Sequence, residues 1–257
     1  MPEGDAVWRV ATRLHGAFTD QPLVRSDLRW PSIATADLRG AKTLEVVPRG
    51  KHLMHRFDNG LTLHSHLRME GAWRISATTD PAPTFRAHSV RAVLATDQWT
   101  AVGNALGMLD LVRTPDEARL VGWLGPDLLG PDWDAGEAAK RLAASPDALG
   151  AALLDQRNLA GLGTIWTAES LFAQGLDPWR PAAGVPRREL VALADRAHTL
   201  LTASIKGRPD PRRSHAVHRR LHQPCPRCGT PIKAGTTGSG PQERTLFFCP
   251  NCQGPRA

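Results

Sequence analysis

Two residues at the start of the chain could carry out covalent chemistry. Pro2 follows the initiator methionine, and removal of Met1 would leave a secondary amine at the chain start. Such an amine is a nucleophile that can attack the anomeric carbon of a sugar and form an iminium. The neighbouring Glu3 could protonate the sugar ring oxygen or shuttle protons. Both residue types are also ordinary at the start of a helix, so the pair alone does not establish the chemistry.

Two further segments offer groups that bind phosphate. In residues 48–51, Lys51 precedes a predicted strand, where it could contact a phosphate or act beside Glu3. In residues 156–164 a predicted helix ends, a glycine-rich turn follows and a new helix begins. Backbone amides at a helix N-terminus bind phosphate without a cation. A surface lysine on a turn and a Gly-x-Gly connection are common structural features too, so both segments stay ambiguous by themselves.

The four cysteines lie near the C-terminus in two C-x-x-C pairs. Twenty residues separate the pairs, and this arrangement is typical of a structural zinc site. Two such pairs can place four thiolates around one ion, which leaves no ligand position open for chemistry. Two disulfides are the alternative, but the first residues carry charges where a secretory signal has an apolar core. The prediction is one structural zinc ion bound by Cys225, Cys228, Cys249 and Cys252.

The positive charge of the chain favours an anionic partner. The 257 residues carry a formal charge of +7, and seven Lys or Arg residues lie from Lys206 to Arg227 against a single acid, Asp210. Such a run either binds phosphate or forms a solvated linker, and its composition does not separate the two. No apolar stretch approaches the roughly 20 residues of a membrane span, so we expect a cytoplasmic protein without membrane contact.

The elements that must position these residues fall into two halves. Apolar residues at helical spacing from Val7 to Phe18 predict a first helix that starts almost at residue 2. From Leu23 to about Val102, short alternating runs predict antiparallel strands, with a hairpin turn at residues 58–60. Beyond Pro115 the periodicity predicts helices over 135–144, 148–159, 165–173 and 187–205. The fold class is therefore α+β with two domains.

Taken together, these motifs resemble the formamidopyrimidine-DNA glycosylase and endonuclease VIII family from end to end. The matches are Pro2-Glu3-Gly4, Arg49-Gly50-Lys51, His64-x-His66-Leu67-Arg68-Met69-Glu70-Gly71, Leu153-Leu154-Asp155-Gln156 with Ala160-Gly161-Leu162-Gly163, and Cys225-Pro226-Arg227-Cys228-Gly229-Thr230 through Cys252-Gln253. Five motifs in family order do not arise by chance. The Pro-Glu-Gly start is more similar to the endonuclease VIII branch, particularly its actinobacterial members.

The resemblance implies a fold that agrees with the pattern of predicted elements. It implies an N-terminal antiparallel β-sandwich with a leading helix that carries the nucleophile. It also implies a helical helix-two-turn-helix domain that is followed by a zinc-finger β-hairpin reaching the DNA. The expected domains are a catalytic domain over 1–125, a DNA-binding domain over 126–220 and a zinc finger over 221–257.

The resemblance also implies a bifunctional DNA glycosylase and abasic-site lyase of base excision repair. Pro2 would attack the anomeric carbon of a flipped nucleoside, with Glu3 as acid and proton shuttle. Lys51 would donate a proton and bind phosphate. After the base leaves, the Schiff base makes the sugar acidic, and successive β- and δ-eliminations would cut the strand on both sides of the lesion.

Base flipping implies a loop that fills the gap left in the duplex. Extruding a nucleotide costs a few kcal/mol of stacking, which an inserted side chain can offset. Arg68, Met69 and Glu70 occupy that loop in the resemblance. Met69 is the expected stacker, and Arg68 would bond the estranged base. The alternative is that Met69 is a core residue on an ordinary turn.

Other DNA contacts follow from the same resemblance. Gly163 and Thr164 match the phosphate-binding helix start, and Arg244 matches a phosphate-contacting arginine of the zinc hairpin. Thr164 replaces the family's usual asparagine, although a threonine could still cap the helix and offer its hydroxyl. In residues 104–107 only Leu106 could wedge into the opposite strand.

The expected substrate range follows from positions where the chain departs from the family pattern. Ala6 stands where many relatives have a second glutamate. The connection from Ile205 to Cys225 is short and lacks the loop that closes over oxidised guanine, which favours oxidised pyrimidines and abasic sites. The expected partner is damaged duplex DNA, with single-stranded DNA left open, and the protein is expected to be a monomer in the bacterial nucleoid.

A non-catalytic binder of damaged DNA is the alternative function. The basic run near Arg212, Arg213, Arg219 and Arg220 would serve such a protein equally well. Pro2, Glu3 and Lys51 discriminate between the two, because a pure binder needs no terminal amine. An inactive paralogue is a third possibility, which the Ala6 and Thr164 departures keep open.

Overall fold

A computed structural model describes residues 2–79, 87–207 and 215–254 of the chain. The chain divides into two compact units, Met1–Trp123 and Leu124–Ala257, so the cysteine pairs belong to the second unit. Within the described ranges, every helix is too short or too polar to span a bilayer. Arg212 and Arg213 of the basic run lie outside the described residues.

The first unit begins with helix α1, Gly4–Phe18. Its buried residues Val7, Ala11, Leu14 and Phe18 recur every three or four positions and form one apolar face. The helix starts two residues later than the apolar periodicity predicts, with Glu3 at the N-cap position in extended conformation. Pro2 and Glu3 are thus held where the chain enters the helix.

In the described part of the first unit, eight antiparallel strands follow this helix. They are β1 Arg25–Leu28, β2 Thr43–Arg49, β3 His52–Phe57, β4 Leu61–His66, β5 Ala72–Ala77, β6 Val90–Ala95, β7 Trp99–Asn104 and β8 Met108–Arg113. One sheet has the order β2-β3-β4-β8 and the other β1-β6-β7-β5. Both sheets and α1 contribute to one apolar core, which includes Phe18, Phe57, Leu63 and Leu94. The predicted antiparallel sandwich with a leading helix is confirmed.

The last strand, β8, lies beyond the end of the strand region that alternation predicted. Leu109 is fully buried, while its neighbour Asp110 is partly exposed, so the pattern continues to Arg113. A 3₁₀ turn at Thr114–Asp116 and a short helix α2, Ala118–Val121, follow. Arg56 on β3 donates to Glu117 at 2.7 and 2.6 Å, which fixes this segment against the sheet.

Over its described residues, the second unit contains four further helices and a two-stranded hairpin. The helices are α3 Ala135–Ala143, α4 Leu149–Leu154, α5 Thr164–Gln174 and α6 Arg187–Lys206. Strands β9 Lys233–Thr237 and β10 Arg244–Phe248 pair antiparallel. The core of this unit joins α3 to α6 with Leu246 of the hairpin. The predicted helical region followed by a hairpin is therefore confirmed.

Helix α4 ends five residues before the predicted boundary. Asp155 leaves the helical conformation, with φ −73° and ψ 111°, and its carboxylate accepts from the N–H of Arg157. An aspartate that bonds the backbone two residues on competes with the helix. Gln156 then holds the following turn, because its amide bonds the carbonyls of Leu154 and Leu162 and the N–H of Gly161.

Candidate functional site

The start of α1 places a carboxylate directly behind Pro2. Pro2 is half-buried, whereas Glu3 is only 3% exposed. The Glu3 carbonyl accepts from Val7 N at 3.0 Å, but its side chain makes no capping bond to the first turn. The ordinary use of a glutamate as a helix cap is thus not how this carboxylate is used. A buried carboxylate next to Pro2 suits a proton shuttle.

Lys51 lies in the hairpin that joins β2 to β3. Gly50 has φ of 56°, a left-handed conformation that favours glycine, and it turns the chain so that Lys51 points inward. The lysine is only 6% exposed. Lysine is rarely buried to this extent, so the alternative of an ordinary surface lysine on a turn does not describe it.

Three histidines next to Lys51 form a cluster that sequence analysis did not single out. Nδ1 of His52 lies 2.8 Å from Nε2 of His64, and the ring of His66 lies 4.8 Å from that of His52. Burial first, and then the charges of His66, His64 and Lys51, lower the pKa of His52 to about 3. Burial first, and then Lys51, lower the pKa of His66 to about 4. Both imidazoles are therefore neutral at pH 7, beside a buried ammonium.

The loop of Arg68, Met69 and Glu70, which is expected to fill the gap in the duplex, is held at its two ends and exposed at its tip. Arg68 has φ of 50°, and its N–H donates to Nδ1 of His66 at 2.9 Å. Gly71 closes the turn by donating to Leu67 O at 2.9 Å, and an added Cβ at Gly71 would collide with that same carbonyl. Met69 is 66% exposed. The alternative of a core methionine therefore does not hold.

The neighbouring loop places Leu106 differently from the expectation. Leu106 is 3% exposed and belongs to the core of the first unit. Its side chain packs beside Gly103, where it would collide with an added Cβ atom. The loop is fixed by bonds from Ala105 N to Ser89 O and from Gly107 N to His66 O. The expectation that Leu106 wedges into DNA is corrected, because an apolar side chain buried in the core has no free surface to insert.

In the second unit, Gly163 and Thr164 lie at the start of α5. Gly163 is the N-cap residue, and Thr164 is the first helical residue. The expectation that Thr164 caps the helix is therefore corrected. With glycine at the cap, no side chain at that position competes with an anion for the first-turn amides.

The four cysteines of the second unit come together as one cluster. Their Sγ atoms lie within 4.8 Å of one another, with contacts of 3.5 Å from Cys228 to Cys249 and 3.9 Å from Cys225 to Cys252. Tetrahedral zinc with bonds of about 2.3 Å requires sulfur separations of about 3.8 Å. The cluster is a candidate metal centre, and the donor set and spacing fit zinc.

The electrostatics of the sulfur cluster favour a cation. Burial and the neighbouring sulfurs raise the pKa of Cys252 to about 12. Hydrogen bonds with Thr230 and Asn251 lower the pKa of Cys228 to about 5. Four thiolates this close repel one another, so their joint ionisation requires a positive ion between them.

The segment around the cysteines is anchored to the end of α5. Arg227 donates to the carbonyls of Phe172 and Ala173 at 2.7 and 2.9 Å, and its guanidinium stacks 4.3 Å above the Phe172 ring. Gln253 bonds both Leu176 O and Cys249 N. These contacts join the candidate metal centre to the C-terminal end of α5, the helix that begins at Thr164.

The hairpin itself is anchored by Trp179. The indole N–H donates to Thr236 O at 2.7 Å, and its ring meets that of Phe248 at 4.5 Å. Gly235 allows this approach, because an added Cβ there would lie 2.5 Å from the indole. Arg244, the expected phosphate contact, donates to the carbonyls of Pro241 and Glu243 within the same hairpin.

Residues 216–218, within the basic run, are held by a buried carboxylate. Glu169 on α5 accepts from the N–H groups of Ala216, Val217 and His218 at 2.8 to 2.9 Å. Arg220 donates to the carbonyls of Ala216 and Pro224, which is a structural use of its charge. Arg219 is exposed, with φ of 57°.

Comparison with known proteins agrees with this arrangement. The family model of the formamidopyrimidine-DNA glycosylase N-terminal domain matches residues 1–107, and that of the H2TH domain matches residues 124–223. The chain belongs to the formamidopyrimidine-DNA glycosylase family. Within that family it resembles proteins named endonuclease 8, as the sequence motifs predicted.

Two relatives and one solved structure illustrate the similarity. "Probable endonuclease 8 2" of Streptomyces coelicolor is 47% identical over 98% of this chain and 94% of that protein. "DNA-(apurinic or apyrimidinic site) lyase Nei2" of Mycolicibacterium smegmatis is 41% identical over 98% of this chain and 99% of that protein. The Lactococcus lactis formamidopyrimidine-DNA glycosylase, solved with abasic DNA, shares the fold with a TM-score of 0.85 at 23% identity, over 98% of this chain and all of that one.

The histidine cluster is the main feature that sequence analysis missed. The His64-x-His66 spacing places both side chains on one face of a strand, and that spacing was the available signal. Their partner Asp110 lies 46 residues from His64 in sequence. Only the pairing of β4 with β8 brings the two together.

Proposed function

We propose that this protein is a DNA glycosylase and abasic-site lyase of base excision repair that removes oxidised bases, pyrimidines in particular. The observation that carries the proposal is the start of α1, where Pro2 is half-buried and is followed by an almost fully buried glutamate. The names of its relatives support it, since they include an apurinic or apyrimidinic site lyase. A protein that only binds DNA has no use for this arrangement.

The chemistry begins once Met1 is removed. The Pro2 nitrogen forms a bond to the anomeric carbon, and the bond from that carbon to the base breaks. The departing base takes up the proton that the amine loses, and Glu3 supplies the proton that the ring oxygen needs when the sugar opens to the iminium. The iminium acidifies the adjacent C–H group. Loss of that proton expels one phosphate, and a second elimination expels the other.

Contacts to DNA are assigned from residue type and from position in each unit. In the first unit, Met69 fills the space left by the flipped nucleotide, with Arg68 and Glu70 beside it. Lys51 binds phosphate. In the second unit, Gly163 and Thr164 present first-turn amides to a phosphate, and Arg244 of the hairpin contacts another. Leu106 is not among the contacts, because its apolar side chain is part of the core of the first unit.

The metal centre has a structural role. One zinc ion bound by the four cysteines fits the sulfur spacing, and four protein ligands leave no coordination position for substrate. The ion holds the hairpin that presents Arg244 to the DNA. It takes no part in the bond changes at the sugar.

The remaining properties follow from the sequence. The short connection from Ile205 to Cys225 favours oxidised pyrimidines and abasic sites. Duplex DNA is the expected substrate, and single-stranded DNA is tested in parallel. The enzyme acts as a monomer in the bacterial cytoplasm, at the nucleoid.

Borohydride trapping on a duplex with an abasic site tests the proposal. Wild-type protein should give a covalent DNA adduct, located by mass spectrometry at Pro2. A variant with an extra residue before Pro2 should bind the duplex but give no adduct, because its proline nitrogen is an amide. Glu3→Gln serves as a second comparison. Because an abasic site has no base left to remove, an effect of this variant on the adduct does not come from base removal. A folded, metal-loaded wild type that binds the duplex without forming an adduct would instead be a non-catalytic binder.

A further inference from the structure

Two loops cross side by side from one sheet of the first unit to the other. The first joins β4 to β5 through Arg68, and the second joins β7 to β8 through Gly107. The strands that they join are themselves paired, β4 with β8 and β5 with β7, and the pairing extends to the ends of both loops. The first loop is the one that is expected to enter the DNA. The second loop is therefore in a position to determine how the first is held.

The two loops are joined at both ends. His66 accepts from Gly107 N at its carbonyl and from Arg68 N at Nδ1, in each case at 2.9 Å. At the other end, an added Cβ at Gly71 would lie 3.0 Å from Ala105 O. Arg68 has a left-handed φ of 50°, which an L-residue keeps only where its surroundings hold it. These contacts supply that support.

Gly107 provides the space that the Arg68 side chain occupies. An added Cβ at Gly107 would lie 2.8 Å from Cβ and 2.7 Å from Cδ of Arg68, closer than real Cβ atoms approach a neighbour. The Cβ atom of Arg68 is fixed by its backbone, so a swing of the guanidinium alone would not relieve the collision. The aliphatic part of Arg68 thus rests on the backbone of the second loop, and a larger residue at position 107 would displace it.

The second loop supports the first and presents little of its own surface. Residues 104–107 are buried or half-buried, whereas residues 68–70 of the first loop are exposed. Of these three side chains, the Met69 thioether has no donor and the Glu70 carboxylate only accepts. Arg68 is therefore the exposed hydrogen-bond donor of the two loops, and its aliphatic part is held in place.

A guanidinium in a fixed position distinguishes the two bases that stand opposite a pyrimidine. It only donates hydrogen bonds. Guanine offers two adjacent acceptors, O6 and N7, whereas adenine offers N7 beside an amino group that is itself a donor. Two N–H groups of the arginine can therefore bond guanine, but only one can bond adenine.

We propose that Gly107 is a positioning residue for Arg68, and that Arg68 so held makes the enzyme prefer guanine to adenine opposite the lesion. The proposal rests on the function proposed above, in which the first loop fills the gap left by a flipped pyrimidine. Guanine stands opposite cytosine, so oxidised cytosines are the preferred substrates over oxidised thymines. Gly107 acts through the arginine and makes no contact with the DNA itself.

The test measures Kd for two duplexes that differ only in the base, guanine or adenine, opposite a tetrahydrofuran abasic analogue. The analogue cannot form an iminium, so binding is measured without cleavage. We expect wild type to bind the guanine duplex about tenfold more tightly, in line with the size of a bidentate base contact. Arg68→Ala should remove this preference. Gly107→Ala should remove it too, although the arginine is still present, because its aliphatic part is displaced.

Gly16→Ala is the matched control for replacing a glycine. Gly16 is an exposed residue of α1, and an added Cβ there would meet no atom within 4 Å. This variant should keep the wild-type preference for guanine. Loss of the preference in Gly16→Ala would overturn the proposal, because the effect would then not depend on the contact with Arg68.

A double variant separates positioning from a general disturbance of the second loop. Arg68→Gly removes the side chain with its Cβ atom, so the collision with residue 107 disappears. Gly107→Ala should then cause no further change in Kd when it is added to Arg68→Gly. An equal loss of affinity with and without the arginine would overturn the positioning role, because the change would come from the second loop itself.

The outcomes separate this inference from the proposed function. If wild type forms no borohydride adduct with an abasic duplex, the proposed function fails. If wild type forms the adduct but binds both duplexes equally, or if Gly107→Ala keeps the preference, the inference is overturned while the function stands. If Gly107→Ala does not fold by itself, the double variant decides. It should fold and bind as Arg68→Gly does, and failure to do so would overturn the positioning role.

Discussion

In the first unit the buried and half-buried polar groups are mainly titratable side chains that bond one another, as His52 does with His64 and Arg56 does with Glu117. In the second unit they are mainly backbone groups held by single side chains. Glu169 binds three backbone amides, and Arg227 binds two carbonyls at the end of α5. The first arrangement joins titratable side chains to one another, whereas the second fixes loop segments to helix α5.

This difference predicts which condition destabilises each unit. Stability that depends on neutral buried histidines responds to pH. Stability that depends on four converging sulfurs responds to metal. Acid should therefore destabilise the first unit and metal removal the second, even though both belong to one chain.

The largest expected effect is loss of the metal from the second unit. Cys249→Ser removes a buried ligand, and structural zinc sites contribute about 10–16 kcal/mol in zinc-finger peptides at neutral pH. We expect the β9–β10 hairpin to lose protection in hydrogen exchange and duplex affinity to fall at least about tenfold. Peptides of the first unit should keep their protection.

Ser239→Ala, an exposed position in the loop between β9 and β10, is the control and should leave metal content and exchange unchanged. Unaltered DNA affinity after complete metal loss would contradict the structural role. Equal loss of protection in the first unit would remove the distinction between the units.

Acid should affect the first unit more steeply than the second. The pKa of His52 and His55 is lowered to about 3 and that of His66 to about 4, in each case chiefly by burial. The unfolded chain takes up protons below about pH 6.5, while the folded unit does not. Stability is thus complete above that pH and declines as pH falls towards 4, by about 1.4 kcal/mol per pH unit for each group.

Hydrogen exchange of first-unit peptides between about pH 7 and 5 measures this slope without interference from metal release in the second unit. In the second unit, burial lowers the pKa of His218 to about 4. His55→Gln should reduce the slope by the share of one group. A slope that does not change in this variant would show that the buried histidines do not govern the acid response.

The sequence predicted those parts of the molecule that depend on local spacing. Helix α1 follows from its apolar face, and the sulfur cluster follows from two pairs of cysteines that each occupy a tight turn. The end of α4 was placed wrongly, because the Asp155 side chain captures a nearby amide and stops the helix despite continuing apolar periodicity. Periodicity records which face is buried and does not record such competition.

Features that depend on long-range register were not accessible from the sequence. The bond from His64 to Asp110 joins residues 46 apart, and nothing local to either residue indicates the other. Leu106 was expected at the surface because its loop was compared with a DNA-probing loop. Its burial follows from the packing of that loop against His66 and Gly103, which only the folded sheet provides.

The smallest expected effect concerns backbone strain next to the metal centre. Arg219 and His222 adopt φ of 57° and 64°, between the amides held by Glu169 and the first cysteine pair. A left-handed conformation costs an L-residue roughly 1–2 kcal/mol, and glycine avoids this cost but loses more entropy on folding. Arg219→Gly should therefore stabilise the second unit by about 0.5–1 kcal/mol.

Arg219→Ala separates strain from charge, because it removes the guanidinium and keeps the Cβ atom. It should give no gain in stability, while both variants should weaken duplex binding equally if the exposed charge contacts phosphate. Hydrogen exchange of second-unit peptides measures the stability, and the salt dependence of binding measures the charge. If both variants stabilise the second unit, the gain comes from relieved repulsion between cations. Backbone strain would then play no part in the difference between the two units.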